Sequence, residues 1–95
     1  MSYVDFKIVS IKNIESIQFD NVIEVTAYMY RGHYDNIVDE KNKQKNVYVR
    51  DEKFGEALVI FVPNNATETE INKELYNLLL ENKQPEDEVI PECIY

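Results

Sequence analysis

The sequence predicts an α+β domain: a small antiparallel sheet of about four strands, one C-terminal helix packed on it, and an acidic C-terminal extension. Three observations point there. Two stretches alternate apolar and polar residues, the signature of half-buried strands. A later segment repeats apolar residues at helical spacing behind a capping signal. The chain has only 95 residues, enough for one domain that buries about 60–65% of its unfolded surface around a small core.

The first strand is read over residues 3–11, where Val4, Phe6 and Ile8 alternate with Asp5 and Lys7. Asn13 to Ser16 is polar and turns the chain. The second strand is read over 17–31. Ile23, Val25, Ala27 and Met29 form its core face, and Val22, Glu24, Thr26, Tyr28 and Tyr30 its other face. Arg31-Gly32 breaks the pattern. His33 to Asn46 reads as a long polar loop, a length that in a small domain marks a segment with contacts to make.

A third strand over 46–51 and a fourth over 56–62 are expected to form a hairpin around Asp51–Gly55, with Gly55 in a left-handed position. Ala57 to Val62 is apolar on both faces, which places it mid-sheet under the helix. Sequential antiparallel order follows from the tendency of neighbouring strands to pair. The helix is expected over 68–82. Thr67 and Glu70 form a capping box, Ile71, Leu75, Leu78 and Leu79 form the buried stripe, and Pro85 bars continuation. Residues 1–84 thus read as one domain and 85–95 as an acidic extension, with Val89, Ile90, Ile94 and Tyr95 as its apolar anchors.

Charge and composition remove several functions. Eighteen acidic residues against ten basic ones give a net charge of −8 and a pI near 4.5. This argues against a general grip on nucleic acid, whose phosphates are held by clustered Lys and Arg. One Cys and one His leave no intramolecular disulfide and no Cys/His zinc site. Two glycines leave no glycine-rich phosphate loop, so no cofactor or metal is expected. The longest apolar run, Ala57 to Pro63, falls well short of the roughly 18–20 residues that span a bilayer. Met1 to Lys7 lacks the pattern of a signal peptide. The expected setting is the cytoplasm, without membrane contact.

No catalytic set emerges. His33 lies beside Gly32 without a nucleophile nearby. Cys93 sits next to Glu92, whose charge opposes thiolate formation. Asp39-Glu40 and Glu86-Asp87-Glu88 are consecutive carboxylates in polar segments rather than a pair sharing a cleft. A non-enzymatic role is the expectation.

Two features point to partner binding. Seven tyrosines without a tryptophan include Tyr28, Tyr30 and Tyr34 at one strand end, with Tyr48 and Arg50 placed to sit across from them. Tyr and Arg dominate binding hot spots. Glu74, Glu81, Glu86, Asp87 and Glu88 add an acidic surface that can imitate the potential of a nucleic acid and enter a basic groove on a protein. A basic island (Lys41, Lys43, Lys45, Arg50, Lys53) interrupts this acidity. Abundant Asn, Lys, Ile, Glu and Tyr suit an AT-rich, low-GC bacterial or phage source. The expectation is a phage-encoded inhibitor that occupies the basic site of a host or defence protein in the host cytoplasm. The alternative is a structural subunit of a phage particle or another homo-oligomeric assembly.

Overall fold

A computed structural model describes residues 2–14 and 21–90. Among them, β1 (Tyr3–Ile14), β2 (Val22–Val38), β3 (Gln44–Pro63) and β4 (Glu88–Val89) form one sheet in the order β3-β2-β1-β4, with α1 (Glu68–Asn82) between β3 and β4 in the chain. The fold is α+β, and the sheet is mixed: β1, β2 and β3 are antiparallel neighbours, while β4 runs parallel to β1.

The core forms where the period-2 pattern of β2 meets the 3.6 period of α1. Ile23, Val25, Ala27 and Met29 are buried together with Val4, Leu58, Ile60, Val62, Ile71, Leu75 and Leu79. The predicted core face of β2 and the helix over 68–82 are both present. Thr67 accepts a hydrogen bond from the Glu70 amide at 3.2 Å, and the Glu70 carboxylate accepts one from the Thr67 amide at 3.2 Å. The helix ends as Lys83 turns extended, two residues before Pro85. No helix among the described residues is long and apolar enough to cross a membrane.

The third and fourth strands of the sequence reading are one strand. β3 continues through Asp51–Gly55, and two irregularities take the place of the expected turn. Asp51 is extra between the pairs Arg31↔Glu52 and Gly32↔Arg50. Gly55, Glu56 and Ala57 together face Tyr28 between the pairs Ala27↔Leu58 and Met29↔Phe54. Gly55 does adopt the left-handed backbone (φ 66°), but as part of a bulge, the other common use of such a glycine.

The hairpin turn lies at Asp39–Lys43 instead. The Asp39 carboxylate accepts hydrogen bonds from the Lys41 and Lys43 amides, each at 2.9 Å, and Asn42 takes φ 59°. Asp and Asn are suited to these two tasks. The expected 33–46 loop is therefore a two-stranded arm. β1 pairs no further along β2 than Gly32, so His33–Val38 and Gln44–Val49 continue past it as a ribbon. The arm accounts for the elongated shape, 57 × 31 × 18 Å.

β3 is also an edge strand rather than a central one. Leu58, Ile60 and Val62 are buried under α1, while Val59 and Phe61 are exposed on the opposite face. The expectation of two covered faces fails because one helix covers only one side. β1 extends to Ile14, three residues past its predicted end, and a bulge between Ile8 and Ser10 resets its alternation. Predicted residues 15–20 of the turn and second strand lie outside the described residues. So do the expected anchors Ile94 and Tyr95; Ile90 is buried and Val89 packs against the core.

Candidate functional site

The side of the sheet away from α1 holds the main constellation. Asp5, on β1, stands opposite Tyr30 on β2, and Tyr30 stands opposite Lys53 on β3. The bulge at Asp51 then brings Arg50 opposite Gly32, and Tyr48 follows opposite Tyr34. These side chains share one face because pairing fixes which residues of adjacent strands point the same way.

Asp5 is the hub. It is 2% exposed, a costly place for a carboxylate unless it is paired and hydrogen-bonded. Arg50 supplies both, donating from Nε at 2.8 Å and also from Nη2. The Tyr48 hydroxyl lies 3.2 Å from Asp5 Oδ1 and 3.3 Å from the Tyr3 carbonyl oxygen, within donating distance of both. The Asp5 hydrogen bond pushes the Arg50 guanidinium above its ordinary value. Gly32 makes room for the arrangement. A Cβ there would stand 2.1 Å from the Val49 carbonyl oxygen and 2.9 Å from the Tyr48 ring.

Aromatic rings extend from this hub. Tyr3 and Tyr34 meet edge to face, with centroids 4.8 Å apart at 82°, and Tyr34 lies 5.7 Å from Tyr48. Arg50 sits over the Tyr30 ring at 5.0 Å, and Lys53 over the Tyr28 ring at 4.4 Å. The predicted residues Tyr28, Tyr30 and Tyr34 thus share a face with Tyr48 and Arg50. The same face carries exposed Val59 and Phe61 near its far end.

The acidic candidates divide. Glu74 and Glu81 are exposed on α1, across the sheet from the tyrosines. At 3.6 residues per turn they fall with Glu70 along one flank of the helix. Glu86 is exposed in the turn after α1. Asp87 is 4% exposed and bonded to Arg31 Nη2 at 2.9 Å and to the Gln84 amide at 3.1 Å. Its charge ties the α1–β4 connection to β2 and is not presented outward. The Arg31 hydrogen bond holds the Asp87 carboxyl below the usual range, and Arg31 in turn stacks over Phe54 at 4.4 Å. Glu88 pairs with Tyr3 in the parallel register and so lies on the tyrosine side.

His33 is on a strand rather than in a loop. Its Nδ1 lies 2.8 Å from Asp51 and its Nε2 3.4 Å from Asp35. The Asp51 bond, followed by that to Asp35, raises the imidazole above its ordinary value. No group of three or more His, Cys, Asp or Glu among the described residues could hold a metal ion. Cys93 lies outside the described residues.

The sequence reading did not pick out Asp5, although a lone Asp between Val4 and Phe6 in a strand was a signal. A carboxylate flanked by core residues in a strand needs a cation, and Arg50 supplies it from β3, across the intervening β2. No protein-family model, curated protein or solved structure matches this chain.

Proposed function

We propose that the chain is a non-enzymatic protein-binding module that presents the bare face of its sheet, with the β2–β3 arm, to a protein partner. The observation that carries this is the composition of that face: Tyr28, Tyr30, Tyr34, Tyr48 and Arg50 held in place around buried Asp5, continuous with exposed Val59 and Phe61. Tyr and Arg anchors combined with apolar area are what binding hot spots are made of. A pre-organised set loses less entropy on binding.

A second reading rests on the flank formed by Glu70, Glu74 and Glu81. There the helix enters a basic groove, as in a phage-encoded inhibitor of a host nucleic-acid-binding protein. A third, assembly as a subunit of a homo-oligomer, draws on β3, a 20-residue strand at the sheet edge. Unpaired strand edges are templates for pairing with another chain.

One experiment separates the three. The tagged chain is used to capture its partner from the source cell, alongside Tyr28→Ser with Phe61→Ser on the sheet face and Glu74→Lys with Glu81→Lys on the helix. Loss of the partner with the first pair alone supports the sheet face. Loss with the second pair alone, together with steep weakening by salt, overturns it in favour of the acidic helix. Capture of further copies of the chain, with concentration-dependent sedimentation, overturns it in favour of assembly.

A further inference from the structure

We propose that a groove at the base of the arm, lined by Tyr3, Tyr34, Asn46, Glu88 and Val89, receives a cationic side chain, an arginine or lysine, from the partner protein. The inference rests on the reading of the bare sheet face as the binding surface and names the chemistry of what it meets. The groove has a volume of about 410 Å³. Two of its walls are the perpendicular rings of Tyr3 and Tyr34, and the parallel register puts the Glu88 side chain beside Tyr3. An aromatic wall with a carboxylate at its rim attracts a cation twice: through the ring quadrupole, and through charge.

The walls are fixed before any ligand arrives. The Glu88 amide donates to the Ser2 carbonyl oxygen at 3.0 Å, and the Ile90 amide to that of Val4 at 3.1 Å. Tyr48 packs against Tyr34 while its hydroxyl is held by Asp5. The same face already uses this chemistry within the chain, with Arg50 over Tyr30 and Lys53 over Tyr28. The groove is open, so a side chain carried on a protein surface can enter it, and the carboxylates of Glu88 and exposed Glu86 repel a phosphate backbone. A basic protein surface is the source that fits both shape and sign.

The test titrates the full chain with an end-blocked Gly-Arg-Gly peptide and with its neutral citrulline counterpart, following backbone amide shifts by NMR. The arginine peptide is expected to move Tyr3, Tyr34, Asn46 and Glu88, with the citrulline peptide about tenfold weaker. Glu88→Gln, a conservative change at an exposed position, should weaken the arginine peptide by about fivefold or more, and Glu74→Gln should leave it unchanged. Equal affinity for the two peptides overturns the proposal. So does a wild-type affinity in Glu88→Gln, or shifts confined to the Glu70, Glu74 and Glu81 flank. If the peptide does not bind but Tyr28→Ser with Phe61→Ser still breaks the partner complex, the groove fails and the binding face stands. If the peptide binds as expected while those face variants keep the partner, the groove stands and the wider face fails.

Discussion

Asp5 and Arg50 form one pair, but removing either partner leaves a different problem. Arg50 keeps 38% of its side chain exposed against 2% for Asp5. Arg50→Met strands a buried carboxylate and should cost about 3–5 kcal/mol. Asp5→Asn leaves a guanidinium that water can reach and should cost nearer 1 kcal/mol, about one lost hydrogen bond. Urea denaturation of the two variants checks the order, and equal costs would show that Asp5 is not the strained member. The pair Arg31–Asp87 makes a prediction in pH. A folded-state carboxyl held below its unfolded value contributes stability above the unfolded value of about 4, and that contribution is lost as pH falls through the lower folded value. The stability gap between the wild type and Arg31→Met should therefore be widest near neutrality and narrow below about pH 4. A gap that stays constant down to about pH 2.5 would exclude this pair as its source.

Among the elements, α1 was the most legible because its signals are local. Thr67 and Glu70 set its start, Pro85 bars its continuation, and the stripe Ile71, Leu75, Leu79 faces the sheet. Leu75 is fully buried, while Leu78 is only half-buried at its margin. Leu75→Ala should cost about 2–5 kcal/mol and Leu78→Ala clearly less, read from denaturant midpoints. An unchanged midpoint for Leu75→Ala would remove α1 from the core. β3 was the least legible element. Asp51-Glu52-Lys53-Phe54-Gly55 has the composition of a turn, and only pairing with β2 keeps it extended. The arm reads as a loop in sequence for a related reason. Both its faces are exposed between Asp35 and Asn46, so no apolar alternation marks it, even though its ladder with Tyr34↔Tyr48 and Asn36↔Asn46 is regular.

For the whole molecule, stability and binding are expected to lie in different places. Residues 35–46 are exposed throughout, and the core lies beyond them. Replacing residues 35–47 with Asn-Gly would join Tyr34 to Tyr48 through a two-residue hairpin turn. The domain should stay folded, with its unfolding free energy changed by less than about 1 kcal/mol. Circular dichroism on melting checks this, and loss of cooperative unfolding would make the arm part of the core. Charge is divided in the same way. Glu70, Glu74 and Glu81 lie along α1, while Arg50, Lys53 and the tyrosines lie on the other side of the sheet. A net charge of −8 therefore does not describe the surface that a partner meets.

The sequence by itself determined the α+β class, the core face of β2, the bounds and cap of α1, and the shared face of Tyr28, Tyr30 and Tyr34. Each of these depends on spacing within one segment or on alternation, which a chain carries whatever surrounds it. Tertiary structure alone decided that β3 is one strand at an edge, that β4 adds parallel to β1, that Asp87 is spent on Arg31, and that Glu88 stands beside Tyr3 rather than with the acids of α1. These outcomes depend on which backbones pair and in what register. A bulge of one residue, as at Asp51, redirects every side chain beyond it without leaving a mark in composition.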